Sequence, residues 1–196
     1  MRRMLAMVAF SLLAALAVPT MASATHSNGQ GPAQDFLSGA AKGPVPIPCA
    51  PGTAAGHFHT NGQAQDNVTN VATGQFWTHL DVTPSLFGYT EADFSGTVNC
   101  VNAYTVPANS ANWSGTIENV LLTGPSVPDN SAGIPGVLAP GMGVISRHVD
   151  ESPPTSADSA LGFTTPAPIP CTHPLLFAPF NTLPITQGNL ITHRGR

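Results

Sequence analysis

After residue 24, no window of eleven residues in this chain repeats apolar side chains at the 3.6-residue spacing of an amphipathic helix. Short runs instead alternate apolar and polar residues. In the clearest run, from Gln75 to Thr83, every second residue from Phe76 to Val82 falls on one face, while Trp77, His79 and Asp81 fall on the other. This alternation predicts a half-buried β-strand.

Turn-forming residues separate further segments that read as strands. The chain holds 20 prolines and 19 glycines, and the stretch from Thr123 to Gly141 contains four of each, which predicts a long loop. Short antiparallel strands with such turns are typical of sandwiches and barrels. We expect an all-β fold, a single antiparallel β-sandwich with long Pro/Gly-rich loops. The other predicted strands are Phe94–Val101, Trp113–Leu122, Gly143–Asp150, Ala160–Thr164, Leu175–Phe180 and Leu183–His193.

The first 24 residues have the pattern of a secretory signal peptide. Arg2 and Arg3 precede an apolar stretch from Leu5 to Val18, and Ala22-Ser23-Ala24 is a small-x-small cleavage site. An uncleaved anchor is the alternative, but the apolar stretch has only fourteen residues, whereas a spanning helix needs about 20. We therefore expect a secreted, extracellular protein without a membrane span after cleavage.

Composition divides the rest of the chain into two parts. Residues 25–54 are rich in Gly, Pro, Ala, Gln and Ser, with Phe36 and Leu37 as the large apolar exceptions. We expect this part to be a flexible arm. The strand pattern starts near Ala55, which predicts a β-sandwich domain over residues 55–196.

Charge excludes nucleic acid as a partner. Only 8% of the residues are charged. Cleavage after Ala24 would leave four basic residues against ten acidic ones, a formal net charge of −6. Four scattered cations cannot neutralise a row of phosphates.

The three cysteines, Cys49, Cys100 and Cys171, allow one disulfide bond. Cys100 lies in a predicted strand on the face of Phe94 and Val98, and Cys171 precedes an apolar segment, so both should be well packed. These positions favour a Cys100–Cys171 bridge with Cys49 free. The alternative is Cys49–Cys171, because both cysteines follow the tripeptide Pro-Ile-Pro.

One polar pattern recurs, a pair of metal-type ligands separated by one apolar residue. On a strand the two members of such a pair project from the same face. Imidazole and carboxylate groups suit zinc or copper(II), so two pairs on neighbouring strands would form a metal site. The alternative, which alternation alone explains, is a solvated outer face. The three pairs are His57 with His59, His79 with Asp81, and His148 with Asp150.

Several segments resemble a family of small secreted proteins common in high-GC Gram-positive bacteria. They are, in order, Phe94-Ser-Gly-Thr-Val-Asn-Cys100-Val, Asn112-Trp-Ser-Gly-Thr-Ile117, Gly143-Val-Ile-Ser-Arg-His-Val-Asp-Glu151, Cys171 and Leu183-Pro-Ile-Thr-Gln-Gly-Asn-Leu190. The resemblance covers about residues 55–196. The chain departs from it at Glu151-Ser152-Pro153, where the family has an Asn-Gly turn.

The resemblance implies a secreted β-rich domain with a bridge at Cys100 and Cys171, and it implies no catalytic residues. The sequence also lacks the Gly-x-Ser-x-Gly, Cys-x-x-Cys and His-Glu-x-x-His motifs. We therefore expect a non-enzymatic extracellular module, structural or binding, with a cell-wall or other extracellular partner. The alternative is a metal-binding protein or metalloenzyme that uses the His/Asp pairs.

Overall fold

A computed structural model describes residues 34–46, 53–65, 68–104, 109–150 and 158–194. The predicted signal peptide, half of the predicted arm and Cys49 lie outside these residues. The described part contains ten β-strands and one short 3₁₀ turn, Pro174–Leu176. The strands are β1 (Phe36–Pro46), β2 (Thr53–Ala64), β3 (Ala72–Leu86), β4 (Tyr89–Tyr104), β5 (Ser110–Gly124), β6 (Val127–Asn130), β7 (Gly143–Val149), β8 (Ser159–Thr165), β9 (Leu183–Pro184) and β10 (Gln187–His193).

All ten strands belong to one curled antiparallel sheet, a half-barrel. Its strand order is β10-β1-β2-β3-β4-β5-β7-β8-β9, and β6 pairs with β5 at the side of this path. β9 and β10 follow one another in the chain but pair with β8 and β1, at opposite ends of the order. The last part of the chain therefore contributes to both ends of the sheet.

The all-β antiparallel prediction is confirmed, but the described strands form one curled sheet instead of the two packed sheets of the expected sandwich. Long strands with irregular register allow this curvature. β4 and β5 run for 16 and 15 residues, and their pairing shifts between Ser95 and Gly96 and again between Val98 and Cys100. Such β-bulges bend and twist a sheet, so that a single sheet can cover its own core.

The structure corrects the expected arm for residues 36–46. They form β1, which pairs with β2 on one side and β10 on the other. Leu37 is 1% exposed and Ala41 is also buried. The strand is rich in small residues because the chain packs closely here, and a Cβ atom at Gly39 would lie 2.6 Å from the carbonyl oxygen of Asn189.

A segment after β8 covers the outer face of β4, β5 and β7. Its cysteine, Cys171, forms a disulfide bond with Cys100, which confirms the favoured pairing. Leu176 is fully buried with Ile145 and Cys100, and Asn112 Nδ2 donates hydrogen bonds to two carbonyl oxygens of the segment at 3.0 and 2.9 Å. The prediction of a strand over Leu175–Phe180 is wrong, because this region holds the 3₁₀ turn and a loop.

Cys100 reaches this segment because of a bulge. Asn99 is the extra residue of β4, since Val98 pairs with Gly115 and Cys100 pairs with Ser114. The bulge breaks the alternation, so Val98 packs in the main core while Cys100 packs with Ile145. The expectation that Cys100 shares the face of Phe94 and Val98 is therefore wrong.

Candidate functional site

The concave side of the sheet surrounds a partly open cavity of about 150 Å³. Most of its wall is apolar, because successive strands turn every second residue inward. A loop after β6 also contributes to the wall. Apolar wall residues include Phe58, Leu80, Val82, Ala92, Phe94, Trp113, Leu122, Ile134, Val137, Leu138, Val144, Ala160 and Ile185.

Two hydroxyl groups on the wall, those of Ser146 and Thr164, donate hydrogen bonds to the backbone. Ser146 Oγ donates to the carbonyl oxygen of Leu161 at 2.9 Å, and Thr164 Oγ1 donates to that of Val137 at 2.8 Å. The second bond also fastens the loop after β6 to β8. The protons of these two hydroxyl groups are therefore already used in hydrogen bonds within the protein.

A hydrogen-bonded tryptophan–histidine pair forms part of the wall. Trp113 Nε1 lies 3.1 Å from Nε2 of His148, and both side chains are buried. An indole N–H can only donate, so His148 Nε2 accepts and carries no proton. The neutral imidazole consequently has its proton on Nδ1.

His148 is 1% exposed, and burial lowers its pKa to about 3. Its ring also packs against Phe58, with centroids 5.5 Å apart. Nδ1 is buried and has no hydrogen-bond partner in the described part of the chain. Leaving such a donor unpaired costs about 1–3 kcal/mol, so the fold retains an unused donor in a residue of the cavity wall.

Two of the three predicted His/Asp pairs lie together on the outer face. His57 on β2 is directly opposite His79 on β3, and their ring centroids are 6.2 Å apart. His59 is opposite Trp77, which is 44% exposed and stacks on His79 with centroids 6.3 Å apart. Asp81 is exposed on the same face as His79.

Carboxylates engage both ring nitrogens of His79. Nδ1 lies 2.9 Å from Asp93 Oδ1, and Nε2 lies 3.4 Å from Asp81 Oδ1. Partial burial lowers the pKa of His79, but the hydrogen bonds and charges of Asp93 and Asp81 outweigh this effect and hold the pKa above its usual value. A metal ion on His79 would have to displace one of these two contacts.

The third pair is placed elsewhere. His148 lines the interior, which corrects the expectation that it lies on a solvated outer face. Asp150 follows β7, and its Oδ2 accepts a hydrogen bond from the backbone N–H of Thr192 at 3.5 Å. Within the described residues, no group of three or more His, Cys, Asp or Glu side chains is arranged to hold a metal ion.

Alternation along single strands does not reveal the cavity. Alternation does separate the two faces of β3 and of β7 correctly. Thr78 and Leu80 share one face of β3, Val144 and His148 share one face of β7, and all four line the cavity. The cavity forms only when segments that are distant in the sequence pair with each other, as β5 pairs with β7. The pattern within one strand does not show these pairings.

Comparison of the chain with protein-family models, curated proteins and solved structures finds no match. In the described part of the chain, no helix is long and apolar enough to cross a membrane.

Proposed function

We propose that this protein is a secreted binding module that takes a small, apolar, ring-shaped molecule into the cavity of the curled sheet. The observation that carries the proposal is the cavity itself, about 150 Å³ with a largely apolar wall. An engineered cavity of about 150 Å³ lined by Leu, Ile and Phe binds benzene. The volume therefore suits a ligand of about one six-membered ring.

Secretion is supported by the pattern in residues 1–24 and by the Cys100–Cys171 bond, because disulfides persist in oxidising compartments. A module outside the cell would meet its ligand, and any cell-wall or other extracellular partner, directly.

Binding without chemistry is favoured by the contacts at the wall. A serine nucleophile needs a hydrogen bond to a general base. Ser146 donates instead to the Leu161 carbonyl, and His148 Nε2 already accepts from Trp113. The serine and the histidine of the wall are thus both committed to structural bonds.

Calorimetric titration of the intact protein with toluene tests the proposal. We expect saturable binding at one site. Ala160→Leu adds volume at the cavity wall and should weaken binding at least tenfold, whereas Ala55→Leu, on the exposed outer face, should leave it unchanged. Absence of saturable binding, or equal effects of the two substitutions, would contradict the proposal.

A further inference from the structure

The outer face of β3 holds an imidazole and a carboxylate at the spacing of two ligands of one metal ion. His79 Nε2 and Asp81 Oδ1 are 3.4 Å apart, which is longer than an ordinary N–H···O hydrogen bond. Two ligands of a tetrahedral zinc ion, at bond lengths of about 2.0–2.2 Å, lie about 3.3–3.5 Å apart. The right-angled ligands of a square-planar copper(II) ion lie closer together, at about 2.8–3.0 Å. The observed separation therefore fits zinc.

Asp93 on β4 orients the ring of His79. Its Oδ1 lies 2.9 Å from His79 Nδ1, so the carboxylate accepts the Nδ1–H and leaves Nε2, the nitrogen on the side of Asp81, to bind a metal. A histidine that binds a metal almost always donates its other ring N–H to a carboxylate, a carbonyl group or water. The protein holds this arrangement before any metal binds.

Both ligand side chains are accessible to an ion from solvent. The side chain of His79 is 25% exposed and that of Asp81 is 54% exposed. Displacing their mutual contact costs little, because exposed ion pairs contribute little to stability. Asp81 also lies directly opposite Glu91 on β4, and like charges at such positions repel each other. A cation bound to Asp81 would relieve this repulsion.

We propose that the outer face binds a zinc ion through Nε2 of His79 and Oδ1 of Asp81, with water molecules completing a tetrahedral shell. Asp93 acts as a positioning residue through His79. With two protein ligands the site is open, so that a donor from another molecule can replace a water molecule. The site lies on the side of the sheet away from the cavity, which Thr78 and Leu80 face, and it does not depend on the ligand proposed there.

Calorimetric titration of the intact protein with zinc chloride, in a buffer that does not coordinate metals, tests the proposal. We expect a saturable site that His79→Phe abolishes and that Asp81→Asn weakens at least about tenfold. The matched control is His59→Phe, because His59 lies on the same face, opposite Trp77. This substitution should leave the affinity for zinc unchanged.

Two substitutions of Asp93 test its positioning role. Asp93→Ala removes the acceptor for the Nδ1–H and should weaken zinc binding about 10–100-fold. Asp93→Asn keeps a side-chain oxygen that can accept this hydrogen bond, so it should restore most of the affinity. Equal losses in the two variants would contradict the role assigned to Asp93.

NMR of the wild-type protein provides a test that needs no variant to fold. Zinc should shift the nitrogen-15 resonance of His79 Nε2, and the Nδ1 proton should stay in its hydrogen bond with Asp93. Magnesium chloride should not shift Nε2, because Mg²⁺ prefers oxygen ligands. The proposal would be overturned by the absence of saturable binding up to about 1 mM zinc, by equal losses in His79→Phe and His59→Phe, or by an unshifted His79 Nε2 at saturating zinc.

Discussion

Trp113 on β5 donates its indole N–H to Nε2 of His148 on β7 across 3.1 Å, inside the curled sheet. This bond fixes the tautomer of the imidazole and holds the ring against the cavity. Protonation of His148 would place an N–H at Nε2, directly opposite the indole N–H. Two donors would then face each other, so acid should destabilise the fold.

We predict that His148 makes stability fall as the pH is lowered from 6.5. Its pKa is about 3 in the folded protein, against an ordinary value of 6.5. Between these values the unfolded chain binds a proton that the folded protein excludes, so this group removes roughly 1 kcal/mol of stability per pH unit. Urea unfolding at pH 6.5 to 5.0 measures the slope.

Two variants control this measurement. Trp113→Phe/His148→Phe should lack this part of the slope. His79→Phe should keep it, because the raised pKa of His79 acts in the opposite sense: its contribution is present below pH 6.5 and is lost as the pH rises through the folded pKa. A full acid slope in the first variant would show that His148 is not its source.

The second prediction concerns the disulfide bond. Cys100–Cys171 joins residues 71 positions apart, and closing such a loop stabilises the folded state by about 4 kcal/mol in the chain-entropy model. Cys100→Ser should lower Tm by roughly 10 °C. Cys49→Ser should change Tm little, and equal losses in the two variants would contradict the assigned bridge.

The third prediction concerns close packing between β4 and β5. A Cβ atom at Gly96 would lie 1.9 Å from the carbonyl oxygen of Thr116. Gly96→Ala should therefore cost about 1–3 kcal/mol through backbone displacement. Gly43→Ala is a suitable control, since its nearest new contact is at 3.3 Å. Chemical denaturation should show a clearly smaller loss for Gly43→Ala, and equal losses would refute this account of Gly96.

Local alternation predicted β3, β4, β5, β7 and β8, but it did not locate the extra residues of the bulges, Asn99 in β4 and Glu118 in β5. Strict alternation along β5 would put Leu121 on the same face as Trp113 and Ile117. β5 has an extra residue at Glu118, because Gly96 pairs with Ile117 while Ser95 pairs with Asn119. The shift buries Val120 and leaves Leu121 41% exposed. A bulge depends on the partner strand, so period-2 analysis of one segment cannot locate it.

The candidate site was unpredictable for a related reason. A histidine between apolar neighbours fits either face of a strand, and the expectation for His148 followed the commoner rule that polar residues face solvent. β7 is buried on both faces, because the segment tied by Cys171 covers one side and the curled sheet encloses the other. Both coverings come from distant parts of the chain.

β1 shows the same limit at the other end of the domain. Its small residues, such as Gly39 and Ala40, carry no apolar pattern that marks a strand. The strand exists because β2 and β10 supply partners on both sides. Pairing with β2 and β10 therefore makes residues 36–46 a strand, although their composition predicted a flexible arm.

The most direct test of the binding account is an NMR measurement of contacts between bound toluene and the two tryptophans. Trp113 lines the cavity, while Trp77 lies on the outer face. We predict intermolecular nuclear Overhauser effects from the toluene protons to the indole ring of Trp113 and none to that of Trp77. Contacts to Trp77 alone, or no contact to either ring at saturating toluene, would contradict a ligand site inside the sheet.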